Sequence, residues 1–341
     1  MKKKRVKVLL LIPCDLEAAR GNTTTAKRLK DELWRRGYEV ELADVTKLDL
    51  QSPGDARAQL IIGLHAMHCG PAAQALAKTW GVPYIVLFSG TDLNGQPQKP
   101  ALDAVAKATA VVALGNAPAT RARDIYPECR DHLHVIPQAV LPLPYRPGVH
   151  LPADAPALPA DAPLVLVPAG VREVKDPLRA IAALLPMRKE QPEMQLWFVG
   201  PELEKETGDA LRAACAEHDW VFWLDARPRE ELLPLFRRAT VVLSTSRSEG
   251  GPPNAMLEAV LVGRPVLASS IPAHREFPGA ESCFRDETEL RKRFRAILSE
   301  PERAMMKSRK MEEVVRQTHS PAAEALGWDR LIRPLVIETL N

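Results

Sequence analysis

Residues 240–269 read TVVLSTSRSEGGPPNAMLEAVLVGRPVLAS: an apolar β-branched run, a turn of glycines and prolines, then a helix-forming stretch. The run Thr240–Ser246 has the pattern of a strand. Gly250, Gly251, Pro252 and Pro253 make a tight entry to a helix that Asn254 can cap and that Ala255 continues. A helix start presents backbone N–H groups without partners, so this turn suits an anion such as a phosphate. Glu249 stands before the turn and Glu258 on the helix. Carboxylates that close to a bound anion suit the hydroxyls of a sugar or a ribose. An ordinary capped helix with a surface glutamate is the plainer alternative.

The same alternation runs through the rest of the chain. Before the midpoint, KVLLLIP (7–13), YEVELADV (38–45), QLIIGLH (59–65), PYIVLFS (83–89), AVVALG (110–115) and LHVIPQ (133–138) read as strands. Between the first two, TTTAKRLKDELWRRGY reads as a helix opened by threonines and closed at Gly37. After it, PLVLVPAG (163–170), MQLWFVG (194–200), WVFWLDA (220–226), TVVLSTS and PVLASS repeat the pattern with helices between them. Alternating strands and helices predict parallel sheets covered on both faces. Eight prolines from Pro137 to Pro163 separate the halves, which favours extended, semi-rigid chain and reads as an interdomain connector. The expected fold is therefore α/β with two Rossmann-like αβα domains, and the natural place for a ligand is a cleft across which they face.

Composition bounds the function. Of 341 residues, 46% are hydrophobic and 26% charged, which excludes disorder for most of the length. The 31 prolines with only 18 glycines argue against flexible low complexity. A formal charge of +3 gives no global basic field, so no nucleic acid is expected as a partner. Five cysteines without a CxxC pair suit reduced thiols and a cytoplasmic protein. The start MKKKRVKVLLLIPCD reads poorly as a signal peptide, because its apolar run stops at Pro13. That basic start offers peripheral contact with an anionic membrane, and its plainer reading is a solvated flank to the first strand.

Further chemistry sits in loops that follow strands. In PAGVREVKDPLRAI (168–181), Arg172 and Lys175 precede a helix, where cations are poor for the helix dipole but good for gripping a diphosphate. In CDLEAARGNTTTAKRL (14–29), Gly21 and Asn22 permit a close turn into a helix start. LHAMHCG places His65 and His68 near a strand end, and FSGTDLNG places Thr91 and Asp92 after the next strand. Histidine at such a position bonds hydroxyls or moves a proton; a packing or capping histidine is the alternative. No helical cluster of His and carboxylates surrounds them, so no metal is expected.

The 247–269 segment resembles the signature of the retaining glycosyltransferases of family 4, which have the GT-B fold: Ser-Glu-Gly, Pro-Asn, Leu-Glu-Ala and Gly-x-Pro-Val. The resemblance extends over nearly the whole chain. It implies that Glu249 contacts hydroxyls of the donor sugar, that Glu258 binds the nucleotide ribose, and that Arg172 and Lys175 neutralise the leaving nucleoside diphosphate. Eight residues separate the two glutamates here, against the family's usual seven, through the doubled Pro252-Pro253. By the same resemblance the donor side takes Gly21, Asn22, Gly250, Gly251, Pro253, Asn254, Ala255, Glu258 and Arg227. The catalytic set is Arg172, Lys175, Glu249 and His65, and His68, Thr91 and Asp92 stand on the acceptor or sugar side.

Gly21, Asn22, Thr25, Ala26 and Arg28, the strand-end His65, Gly90 to Asn94, and Val174 to Leu178 are together similar to a narrower subgroup. It contains the glycosyltransferase 1 domain-containing protein 1 and the bacterial selenosugar synthases, which transfer a sugar from a UDP-sugar to selenophosphate. The resemblance implies a retaining hexosyl or N-acetylhexosaminyl transferase. Its partners are a nucleotide-sugar donor and a small-molecule, anionic or glycan acceptor, and it has no cofactor beyond the donor. A nucleotide-sugar epimerase and a non-catalytic nucleotide-sugar binder share the fold and remain the alternatives. The expected domains are 1–140 for the acceptor, a 141–163 connector, 164–318 for the nucleotide sugar, and a 319–341 helix packing back on the first domain.

Overall fold

A computed structural model describes residues 5–14, 21–49, 57–93, 95–276 and 279–337. The chain divides into two compact units, residues 1–139 with 318–341, and residues 140–317.

The first unit contains β1 (Val6–Ile12), α1 (Gly21–Arg35), β2 (Tyr38–Asp44), β3 (Leu60–Leu64), α2 (Ala66–Trp80), β4 (Tyr84–Leu87), α3 (Lys99–Ala106), β5 (Ala110–Ala113), α4 (Asn116–Ile125) and β6 (Leu133–Val135). Its six strands lie in the order β2-β1-β3-β4-β5-β6, all parallel. Such strands are covered on both faces, which is why β3, β4 and β5 are apolar runs buried at every residue. Gly63 in β3 lets α2 pack closely, since a Cβ there would lie 3.2 Å from both the Ala73 Cβ and the Cys69 carbonyl of α2.

The second unit contains β7 (Leu164–Pro168), α5 (Pro177–Glu190), β8 (Gln195–Val199), α6 (Lys205–Glu217), β9 (Val221–Leu224), α7 (Arg229–Arg238), β10 (Val241–Ser244), α8 (Asn254–Leu261), β11 (Val266–Ser269), α9 (Pro272–Arg275), β12 (Cys283–Phe284), α10 (Glu287–Ser299) and α11 (Pro301–Thr318). The order β12-β11-β10-β7-β8-β9 is again parallel throughout. Two apolar clusters cover the two faces of each sheet. Proline also enters helices, at Pro71, Pro186, Pro234 and Pro334. No helix among the described residues is long and apolar enough to cross a membrane.

The last helix, α12 (Pro321–Ile337), packs on the first unit and contributes Trp328, Ile332 and Val336 to its core. Arg28 of α1 meets Glu324 of α12 through two bonds, Nε to Oε2 at 2.8 Å and Nη2 to Oε1 at 3.0 Å, with side chains 3% and 1% exposed. A guanidinium and a carboxylate matched in this way satisfy each other's hydrogen bonds, a condition for charges to sit inside a protein. The Tyr38 hydroxyl adds a bond to Asp329 Oδ1 at 2.7 Å.

The proline-rich stretch departs from its expected role as a separate connector, because it is laid along the second unit. Val140 and Leu143 are buried in that unit's core, and Leu151, Ala155 and Leu158 pack against it. Polar clasps hold the strap: Arg227 pairs with Asp154, Arg238 Nη2 donates to the carbonyls of Pro159 and Ala162 at 2.6 and 2.9 Å, and Gln195 Nε2 donates to Ala157 at 2.8 Å. Prolines lack the N–H that would bond such a segment into a sheet, so side chains reaching its carbonyls do the fastening.

Candidate functional site

In each sheet the chain winds outward first to one side and then to the other, and the loops at the carboxyl ends of the two strands where the direction changes are the ligand-binding places of such folds. In the second unit those strands are β7 and β10. The loop after β7 carries Arg172 and Lys175, and the loop after β10 carries Glu249, Gly250 and Gly251, so the topology brings the two charged motifs together.

Both loops are stitched to each other. The Thr245 hydroxyl donates to the carbonyls of Lys175 and Asp176 at 3.0 and 2.8 Å, and the Arg247 amide donates to Val174 at 2.9 Å. The Arg247 guanidinium pairs with Asp176 at 2.9 Å and Glu173 at 3.2 Å. At the centre, Lys175 Nζ donates to Glu249 Oε1 at 2.5 Å, with side chains only 15% and 10% exposed. Arg172 makes no ion pair among the described residues, and its Nε is buried without a hydrogen-bond partner. Gly200 shapes the approach: at φ +152° a Cβ would lie 2.3 Å from the Ala169 carbonyl, so only glycine lets β8 end against this loop.

The glycine-proline turn keeps its expected place before α8, but the cap residue is Pro253 and not Asn254, because Asn254 already has helical backbone. Pro253 precedes the first helical residue, Asn254, and its carbonyl accepts from the amides of Met256 and Leu257. Ala255 follows in the first turn. The extra residue of the Pro252-Pro253 pair is taken up in the turn, so Glu258 sits within a regular helix. Glu258 is buried, and its Oε1 accepts from Arg229 Nη1 at 2.7 Å. Burial pushes this carboxyl above the usual carboxylate range, and Arg229 pulls it back in part. Arg227 does not join the group: it pairs with Asp154 and Glu231 instead. Arg229, two residues on, reaches Glu258.

His274, which no motif flagged, supports this region from below. Its Nδ1 donates to the Ser269 carbonyl at 2.8 Å, and the Ser269 hydroxyl donates to the Ser246 carbonyl at 2.5 Å, which ties the ends of β10 and β11. Burial holds His274 below the ordinary histidine range; charges on Glu249 and Lys175 act on it in opposite directions.

In the first unit the direction changes between β1 and β3. Gly21 and Asn22 open α1 after β1; the intervening residues 15–20 lie outside the described residues. The Cys14 thiol and the Thr23 hydroxyl are 3.4 Å apart. His65 ends β3 with φ +91°, a left-handed conformation that costs a non-glycine residue energy and often marks a functional site. Its Nδ1 accepts from the His68 amide at 3.3 Å, which leaves the ring proton on Nε2, and the two rings lie 4.2 Å apart. Burial lowers the His65 pKa against the opposing charge of Asp92, whereas His68 is exposed.

Asp92 takes a different place from the one its motif suggested. It is fully buried, and its carboxylate accepts from the amides of Ala66 at 2.8 Å, Gly90 at 2.8 Å and Ser89 at 3.1 Å. It fixes the loop after β4 against the start of α2 and has no exposed oxygen to offer an acceptor. Thr91 lies in the short 3-10 turn Thr91–Leu93, and Asn94 lies outside the described residues.

Comparison with known proteins agrees with this topology. Residues 162–300 match the family model described as "Glycosyl transferases group 1". The "Glycosyltransferase 1 domain-containing protein 1" of Xenopus tropicalis is 26% identical, over 96% of this chain and 98% of its own length. Among solved structures, the sucrose-phosphate synthase of Thermosynechococcus elongatus superposes with a TM-score of 0.80 at 19% identity, covering 98% of this chain and all of that one. Anabaena HepE in complex with UDP and glucose gives 0.75 at 14% identity, covering 96% and 100%. The chain has the GT-B fold, and it is a glycosyltransferase.

Proposed function

We propose that the protein transfers a hexose or N-acetylhexosamine from a nucleotide sugar, in the first instance a UDP-sugar, with retention at the anomeric carbon, as the family 4 resemblance implies. The observation that carries this reading is the Lys175–Glu249 pair where the β7 and β10 loops meet, with the unpaired Arg172 in the same loop as Lys175. Anabaena HepE, similar in fold, is described in complexes with UDP and with UDP-glucose.

The diphosphate lies against Lys175, Arg172 and the amides of the Gly250–Gly251 turn. Glu249, released by Lys175, accepts hydroxyls of the sugar, and Glu258 accepts from the ribose. Negative charge grows on the leaving diphosphate as the glycosidic bond lengthens, so fixed cations and N–H groups act most strongly in the transition state. The acceptor oxygen or other nucleophilic atom bonds the anomeric carbon on the face that the diphosphate leaves. Its proton passes to the departing phosphate oxygen, and no protein nucleophile or metal is called for. His65, with Nε2 carrying the proton, donates a hydrogen bond to the sugar or acceptor.

A mass-spectrometric screen of UDP- and GDP-sugars tests the reading, with a mixed alcohol pool, thiophosphate and selenophosphate as acceptors. New glycoside with retained configuration is expected. Epimerised donor without acceptor, or donor binding with no consumption, contradicts it. Transfer to selenophosphate places the protein with the selenosugar synthases.

A further inference from the structure

The proline strap reaches Glu258 through one side chain. Arg229, the first residue of α7, gives Nη1 to Glu258 Oε1 at 2.7 Å and Nη2 to the carbonyl of Leu141 at 3.0 Å. The two side chains differ in exposure, 40% for Arg229 and 7% for Glu258. Helix α8 packs on β10 and β11, whose VVLS and VLAS sequences carry no titratable side chain. Helices α7 and α11, which share the α8 cluster, also carry charged residues, and among the described residues Arg229 is the charge that acts on this carboxylate. Glu258 Oε2 has no protein donor among the described residues.

We infer that Arg229 is a positioning residue for the donor's ribose: it holds Glu258 by Oε1, leaves Oε2 to accept a ribose hydroxyl, and anchors that arrangement on the strap at Leu141. The inference rests on the reading of Glu258 as the ribose carboxylate. Burial alone drives this carboxyl toward its protonated form, which accepts hydroxyls less well, and the guanidinium opposes that drive. A lysine restores the charge but not the two-armed bridge between carboxylate and carbonyl. A site built to bond a hydroxyl rejects an analogue that lacks it only while its own acceptor is ionised and fixed.

The test is calorimetric titration of UDP and 2′-deoxy-UDP into the full chain, as a function of pH, for wild type, Arg229→Gln, Arg229→Lys and Glu258→Gln. The wild-type preference for UDP over 2′-deoxy-UDP rises with pH as Glu258 ionises, the ionisation of the diphosphate being common to both nucleotides. Arg229→Gln moves that rise to higher pH and shrinks the preference for UDP over 2′-deoxy-UDP by about tenfold at neutral pH, and Arg229→Lys moves the rise back toward wild type. Glu258→Gln abolishes both the rise and the preference. An Arg229→Gln protein with the wild-type pH profile and preference overturns the inference, as does one weakened by the same factor at every pH with its preference intact. If Glu258→Gln loses the preference in those cases, the ribose reading stands and only the role of Arg229 falls. If Glu258→Gln binds both nucleotides like wild type, the ribose reading fails and the inference falls with it.

Discussion

Both units have six-stranded parallel sheets, but the chain adds one strand outward before reversing in the first and two in the second, and the units place their least exposed ion pairs differently. In the first unit Arg28 and Glu324 lock α12 onto α1 with both side chains almost fully covered. In the second unit Lys175 and Glu249 stand at the ends of the switch-point loops, where 15% and 10% exposure leaves a ligand a way in. A charge pair closed inside a helix interface holds structure. The same pair at the carboxyl ends of β7 and β10 holds two binding groups ready, each neutralised by the other until a ligand separates them. At the equivalent place in the first unit stand Asn22, Thr23 and His65, which suit hydroxyls better than phosphates.

The largest effect expected from breaking this contrast is in the first unit. Glu324→Ala leaves Arg28 buried without its partner and lowers stability by about 3–5 kcal/mol. Scanning calorimetry should show the loss in the transition of the first unit, with UDP still raising the transition of the second. An unchanged profile would mean that the pair does not fasten α12.

Next comes the exposed pair. Glu249→Gln removes a charged acceptor for the sugar and lowers turnover by about tenfold to a hundredfold, the worth of a hydrogen bond to a charged group. Because Lys175 is then released, free UDP should bind several-fold more tightly. Tighter product with slower turnover sharpens the contrast; weaker UDP binding breaks it.

The smallest effect is in pH. Burial is the first cause that holds His65 and His319 of the first unit below the ordinary histidine range, as it does His274 of the second. These rings bind protons less readily folded than unfolded, so the unfolded chain takes up protons first as the pH falls through about 6.5, and stability falls with it. Between about pH 7 and about pH 5.5 the melting temperature of the first unit should therefore drop further than that of the second. Equal drops would show that the buried histidines do not set the difference.

Much of this was legible in the sequence because it is local. The strands are apolar runs bounded by turns, and the charged loops follow strands directly, so parallel topology alone brings Lys175 to Glu249. What was not legible depends on pairing across long separations. Nothing near Arg28 announces Glu324, 296 residues away. The prolines at 137–163 read as a spacer because the arginines that clasp them, Arg227, Arg229 and Arg238, come much later in the chain. Arg227 and Arg229 flank Pro228 and cannot be told apart by type; only the fold shows which one reaches Glu258. Asp92 carried a signal with two meanings, since aspartate in a Gly-Thr-Asp-Leu turn suits ligand hydroxyls and also caps its own backbone. The structure uses the second.

The central claim is that the switch point of the second unit grips the diphosphate of a nucleotide through Lys175. Calorimetric titration of UDP into wild type and Lys175→Ala at neutral pH tests it most directly. The account predicts binding to wild type and a loss of about tenfold to a hundredfold in the variant, the worth of one charged hydrogen bond. Equal affinity in the two proteins would contradict it.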